Sequence, residues 1–184
     1  MATLHLVRHG AAEAGWGDHA DPGLSSRGRE QAEAMADALG PLGPWPLFAS
    51  PLLRTRETAA PLAARWGFDP TIEPRVAELP PPSGMGLDER VAWLRELMRS
   101  RWSAQDARLQ AWRAALLDCL LAAPADAVFV THFIAVNVAI GAATDDDLVV
   151  CRAIDNCSIT TFASDGVALR LVDVGPERTT EVIV

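Results

Sequence analysis

Lysine is missing from the 184 residues, so all 16 basic side chains are arginine. Genome composition accounts for such a bias. Its consequence is chemical: every cationic contact is a planar fork that stays charged. A basic surplus is missing too. The formal net charge is −8, which excludes a general nucleic-acid binder, because a phosphate backbone needs a broad basic face. Cysteine is scarce. Cys119, Cys151 and Cys157 form no C-x-x-C pair and have no metal-ligand spacing, which indicates core or half-buried thiols in a reducing compartment. No apolar run approaches the roughly 20 residues needed to cross a bilayer. The run Leu4 to Val7 is far too short for the apolar stretch of a signal peptide. The expectation is a cytoplasmic monomer or homodimer that contacts neither membrane nor nucleic acid.

What is present fits a globular chain. Hydrophobic residues at 49% against 22% charged are enough to build a core without disulfide or metal staples. The length fits one domain over residues 1–184. Thr3 to Val7 reads as a buried strand, and Ala127 to Thr131 as the strongest strand in the chain. Ser25 or Ser26 caps a helix whose Ala32, Met35, Ala36 and Leu39 recur at helical spacing. Pro46 to Ser50 is a weaker strand. Ser50 and Pro51 then start a second helix as N-cap and first residue, running to about Trp66, with Pro61 expected to kink or split it. A Pro- and Gly-rich stretch from Thr71 to Gly86 precedes two amphipathic helices. Another helix follows from about Phe133 to Ile140. Ile159 to Ala163 and Val167 to Val172 alternate around Ser164–Asp165–Gly166 as a terminal hairpin. Strands alternating with helices, then a hairpin, predict an α/β fold of three layers, α/β/α, around a mixed, mostly parallel sheet.

Two histidines fall where strands end, His9 after Val7–Arg8 and His132 after Val130–Thr131. In open α/β sheets ligands bind at the carboxyl ends of strands. A lone histidine reads as packing or surface. Two at strand ends, with Arg8 and Arg54 nearby in the pattern, read as a site.

The order of motifs resembles the histidine phosphatase superfamily, which includes phosphoglycerate mutases and several phosphatases. Leu6–Val7–Arg8–His9–Gly10 is similar to the family's RHG signature. Asp21 to Ser25 with Gly28, Gln31 and Ala32 resembles its D-x-x-L-T-x-x-G-x-x-Q-A element. Ser50 to Thr55 with Thr58 and Ala59 resembles its S-x-L-x-R-A-x-x-T-A helix, and Val130–Thr131–His132 the strand carrying its second histidine. The likeness covers residues 4 to about 140. It implies a phosphoglycerate mutase-like fold and no cofactor or metal. His9 is the implied nucleophile, and Arg8, Arg54, His132 and Gly10 the phosphate-binding set. The chemistry asks for such a set. A phosphomonoester dianion repels nucleophiles, so fixed positive charge must surround its oxygens. A neutral imidazole attacks when its other nitrogen is held by a hydrogen bond.

The resemblance further implies a Glu after the third strand as acid and base, which here is Glu78, with Glu73 and Asp88 in reserve. A covering segment is expected at about 78–102. Pro80 to Gly86 departs from the family's run, Ala11 to Gly15 departs after the nucleophile, and Phe133 stands where the family has Gly, which predicts a bulkier, apolar pocket wall. Mutase relatives carry an Asn six residues after the nucleophile and an adjacent Arg pair in the cover. This chain has Gly15 there, and Arg90, Arg95, Arg99 and Arg101 without an adjacent pair. His5 and His9 imitate a metal pair, but their i, i+4 spacing converges on a helix and not on a strand. His19 is read as solvated, Asp145 to Asp147 as a solvated turn, and Asn156 as facing the site or capping a turn. The expected activity is a metal-independent phosphomonoesterase acting on a small phosphorylated metabolite. A phosphomutase, a protein-phosphohistidine phosphatase and a silent phospho-ligand scaffold are the alternatives.

Overall fold

Leu4 and Leu6 alternate with His5 and Val7, and this alternation gives the first strand two buried faces. In the computed structural model that strand, β1, spans Ala2–Arg8. The structure describes residues 1–14 and 21–177, apart from the side chains of residues 87 and 88. After β1 come α1 (Ser26–Leu39), β2 (Leu47–Ala49), α2 (Leu53–Trp66), β3 (Thr71–Ile72), α3 (Leu87–Met98) and α4 (Ala107–Leu121). The last third holds β4 (Ala127–Thr131), α5 (Phe133–Thr144), β5 (Ile159–Ser164) and β6 (Leu169–Asp173). The strands form one sheet in the order β3-β2-β4-β1-β5-β6. β3, β2, β4 and β1 run parallel to one another, whereas β5 is antiparallel to both β1 and β6. The mixed, mostly parallel sheet with a terminal hairpin is thus as the sequence pattern predicts.

The two faces of the sheet build two cores. Leu4, Leu6 and Phe129 join Leu94, Leu97, Leu116, Leu120 and Ile134, so α3, α4 and α5 cover one face. Val7, Val128 and Val130 join Met35, Ala36, Ala59 and Leu62, so α1 and α2 cover the other. Three layers result. No helix among the described residues is long and apolar enough to cross a membrane.

α1 is capped as the sequence predicts, with Ser25 accepting from the Gly28 amide. α2 differs in two ways. It runs unbroken through Pro61; the lost amide costs one hydrogen bond, and the burial of Ala59, Leu62 and Ala63 against the sheet holds the turn. It also begins at Leu53 and not at Ser50. The Asp21 carboxylate accepts from the Leu53 amide at 2.8 Å and so satisfies a donor at the helix start. Ser50 is thereby released from strong capping, its oxygen lying a long 3.4 Å from the Leu52 amide.

Candidate active site

Three neighbouring strands, β2, β4 and β1, end at one edge of the sheet and deliver Ser50, His132, and Arg8 with His9. The ladder continues past the strand ends: the His9 amide donates to Thr131 O at 2.9 Å and the Ser50 amide to Val130 O at 3.0 Å. Register therefore fixes these side chains relative to one another. Arg54, on the first turn of α2, reaches over the same edge. Arg8, His9, Arg54, Glu78 and His132 are all buried.

His9 has one tautomer open to it. Its Nδ1 lies 2.7 Å from the Gly10 carbonyl oxygen, which only accepts, so Nδ1 carries the proton. Nε2 keeps its lone pair, and Arg54 Nε donates to it at 3.3 Å. Burial, then the charges of Arg54 and Arg8, holds the imidazole well below the usual histidine range and keeps it neutral. The surrounding backbone is pinned. Asn156 Nδ2 donates to His9 O at 3.0 Å. The Gly10 amide donates to Thr58 Oγ1 at 3.0 Å, and that hydroxyl donates to Arg54 O at 2.7 Å. The Ala11 amide donates to Gln31 Oε1 at 2.9 Å. Gly10 and Gly28 are needed for this approach, because a Cβ on Gly10 would stand 2.6 Å from Gly28 O, and one on Gly28 would overlap Ala11 O.

The two arginines are held by different means. Arg54 Nη1 lies 3.8 Å from Asp21 Oδ1. Arg8 Nη1 donates to Ile154 O at 2.9 Å, and its guanidinium carbon sits 5.0 Å from the centre of the Phe133 ring. Phe133 is buried. Its ring stacks under Arg8.

His132 and His9 meet edge to face with ring centres 5.3 Å apart. His132 Nδ1 lies 3.3 Å from Arg54 Nη2 and 3.7 Å from Glu78 Oε2, and its Nε2 lies 2.7 Å from Ser50 Oγ. Burial, then its neighbours His9, Arg54 and Arg8, depresses its basicity strongly. Thr131 Oγ1 donates to Val76 O at 2.6 Å and ties β4 to the 3₁₀ turn Pro74–Val76 that leads to Glu78. Glu78 Oε1 accepts from the Leu79 amide at 3.1 Å, while Oε2 has no hydrogen-bond partner among the described residues. Burial raises its carboxyl, against the opposing charges of Arg54, Arg90 and Arg8. A raised carboxyl pKa favours the protonated form, the one a proton donor needs.

The reserve Glu73 is differently placed. Arg75 forks onto both its oxygens at 2.9 and 2.6 Å, and that hydrogen bonding takes its pKa down to about 2. It is a poor proton donor. The side chain of Asp88, and His19 as a whole, lie outside the described residues. His5, in the middle of β1, bonds Thr161 Oγ1 at 3.1 Å and stacks on Trp45. Among the described residues no group of three or more His, Cys, Asp or Glu could hold a metal ion. Sequence reasoning missed Arg90 on α3, whose charge acts on both Glu78 and Arg54, and it assigned no role to Thr58 and Gln31 although both stood in the quoted motifs.

Together these groups offer two forks and a neutral histidine for a tetrahedral oxyanion, a lone pair aimed among them, and a carboxyl whose pKa burial raises. Known proteins resemble the chain in sequence and in fold. The family model of the histidine phosphatase superfamily, branch 1, matches residues 4–175. The chain is 32% identical over 142 residues to a probable phosphoglycerate mutase GpmB of Enterobacter, covering 65% of this chain and 64% of that one. It spans less than two thirds of the curated relatives, and only 14% of a PE-PGRS family protein of Mycobacterium tuberculosis. Among solved structures it is similar to a mycobacterial glucosyl-3-phosphoglycerate phosphatase complexed with VO3 (TM-score 0.74, 24% identity, 97% of this chain and 100% of that one). It is equally similar to an Entamoeba histolytica phosphoserine phosphatase in complex with 3-phosphoglyceric acid (TM-score 0.74, 20% identity, 97% and 98%). At these identities the structural likeness establishes the fold.

Proposed function

The chain belongs to the histidine phosphatase superfamily, and we propose that it is a metal-independent phosphomonoesterase working through a phosphohistidine on His9. The observation that carries this reading is the His9 tautomer. Nδ1 donates to Gly10 O, and the Nε2 lone pair faces Arg54. In the first step that lone pair attacks phosphorus and the bond to the ester oxygen breaks. Glu78 gives its proton to the departing oxygen. In the second step water attacks phosphorus, its proton passes to the Glu78 carboxylate, and the N–P bond breaks to release phosphate. Arg8, Arg54 and His132 hold the equatorial oxygens throughout, supplying the charge that a metal supplies elsewhere.

A small phosphorylated metabolite is the proposed substrate, because the segment from Glu78 to Trp102 carries Arg90, whose charge acts on the pocket, and is read as its cover. The mutase reading has support in the Enterobacter relative's name. Against it stand Gly15, the lack of an adjacent Arg pair among Arg90, Arg95, Arg99 and Arg101, and Phe133 spent on holding Arg8. Incubation with 3-phosphoglycerate, with and without 2,3-bisphosphoglycerate, while free phosphate and 2-phosphoglycerate are followed, tests the choice. A hydrolase releases phosphate with no need for the bisphosphate. Primer-dependent isomerisation with negligible phosphate release would reverse the assignment. A panel of phosphorylated metabolites assayed in EDTA then identifies the substrate class.

A further inference from the structure

His132 presents a proton-counting problem whose answer lies in Ser50. In the ligand-free geometry Nδ1 of His132 faces Arg54 Nη2 at 3.3 Å, and a guanidinium only donates. Glu78 Oε2, 3.7 Å from the same nitrogen, lies beyond hydrogen-bond reach of it. The hydrogen-bond neighbour of Nδ1 is thus a donor, so Nδ1 holds a lone pair and the ring proton sits on Nε2. There it meets Ser50 Oγ at 2.7 Å.

A bound phosphoryl group reverses the demand. Its oxygens only accept, so His132 helps only with a proton on Nδ1. Burial and the charges of His9, Arg54 and Arg8 hold the ring neutral before the anion arrives. A change of tautomer puts a proton on Nδ1 without adding a charge to the ring. That requires a group behind Nε2 able to accept from N–H in one state and donate to the lone pair in the other. A hydroxyl does both, since it has one donor and two acceptor pairs and its hydrogen rotates. A carbonyl, amide N–H or carboxylate does only one.

We propose that Ser50 is the positioning residue that lets His132 switch from the Nε2–H to the Nδ1–H tautomer when a phosphoryl group binds. Fully buried Ser50 is fixed for this by its amide bond to Val130 O and by the Thr55 hydroxyl on its carbonyl, at 3.0 and 2.9 Å. Asp21 takes over the amide at the α2 start, so the Ser50 side chain is left for His132. In the switch, one proton leaves Nε2 and one arrives at Nδ1, both exchanged with water before the phosphoryl group seats. The ring stays neutral, and Ser50 keeps its own proton and only turns it.

The inference rests on the phosphatase reading, and the test separates the two. Nitrogen-15 NMR of wild-type protein with labelled histidine reports the protonated ring nitrogen directly, free and with vanadate as phosphoryl analogue. The expected result is His132 protonated on Nε2 when free and on Nδ1 when vanadate is bound. Ser50→Ala should lose the clean switch and lower kcat about 10- to 100-fold with KM little changed, the cost typical of removing a partner behind a functional imidazole. Ser50→Thr should recover most of it through its hydroxyl. Vanadate bound with an unchanged His132 tautomer, or with imidazolium, overturns the role of Ser50 and leaves the phosphatase reading standing. So does Ser50→Ala with wild-type kcat and tautomers. Failure of vanadate to bind at His9 and Arg54 brings down both.

Discussion

Arg54 Nε donates to Nε2 of His9 at 3.3 Å, so one guanidinium faces both the phosphoryl site and the lone pair that would attack it. The contact orients the imidazole, and in the proposed mechanism it opens as phosphorus approaches. Substitution of Arg54 by Lys keeps the charge but loses the fork that reaches His9 and His132 together. Arg8→Lys loses the stacking on Phe133. Each variant should lose about 10²- to 10³-fold in kcat/KM, the scale of one missing donor to a developing oxyanion. Steady-state kinetics with near-wild-type values for either would show that charge alone suffices.

The pH profile should carry the signs of two shifts. His9 works neutral, and burial with Arg54 and Arg8 lowers its pKa. Activity should therefore persist as pH falls through the usual histidine range and drop only at the lower value. Glu78 works protonated and burial raises its pKa, so activity should decline as pH rises through that raised value. An acid limb at the ordinary histidine pKa would argue that His9 is solvated during turnover.

Glu78→Gln removes the transferable proton with little change of shape. Alkyl phosphates, with poor leaving groups, should slow far more than activated aryl phosphates. The decline at higher pH should vanish for the aryl substrates. Equal losses on both classes would assign Glu78 to structure.

The close seat of the nucleophile loop on α1 makes Gly28 a stability test. A Cβ there meets Ala11 O, and relief must come by moving the loop that carries His9 and Gly10. Gly28→Ala should lower stability by about 1–3 kcal/mol in urea unfolding and reduce kcat as well. Unchanged stability and rate would show that the loop has slack.

Much of this was legible in the sequence, for stated reasons. Leu4, Leu6 and Val7, like Val128 to Val130, put apolar side chains on both faces, as a central strand does, and the ends of these strands named His9 and His132. Arg54 followed from the resemblance of Ser50 to Ala59 to the family's S-x-L-x-R-A-x-x-T-A helix. Contacts made through space were not legible. Asn156 holds a carbonyl 147 positions away, and Phe133 meets Arg8 across the sheet edge. Ser50 was read as a helix cap because Asp21, which takes that amide, lies 32 positions from Leu53. Glu78 was set before Glu73 by the resemblance alone; the physical difference, Arg75 on Glu73 and burial on Glu78, lies in contacts through space.

The covalent role of His9 is settled by trapping. Wild-type protein mixed with a phosphorus-labelled substrate in EDTA and quenched in alkali should carry label on one peptide, that of His9, lost on acid treatment as a phosphoramidate is. His9→Ala should carry none and turn over no substrate. Label absent from the wild type under turnover, or full activity in His9→Ala, would contradict a phosphohistidine mechanism.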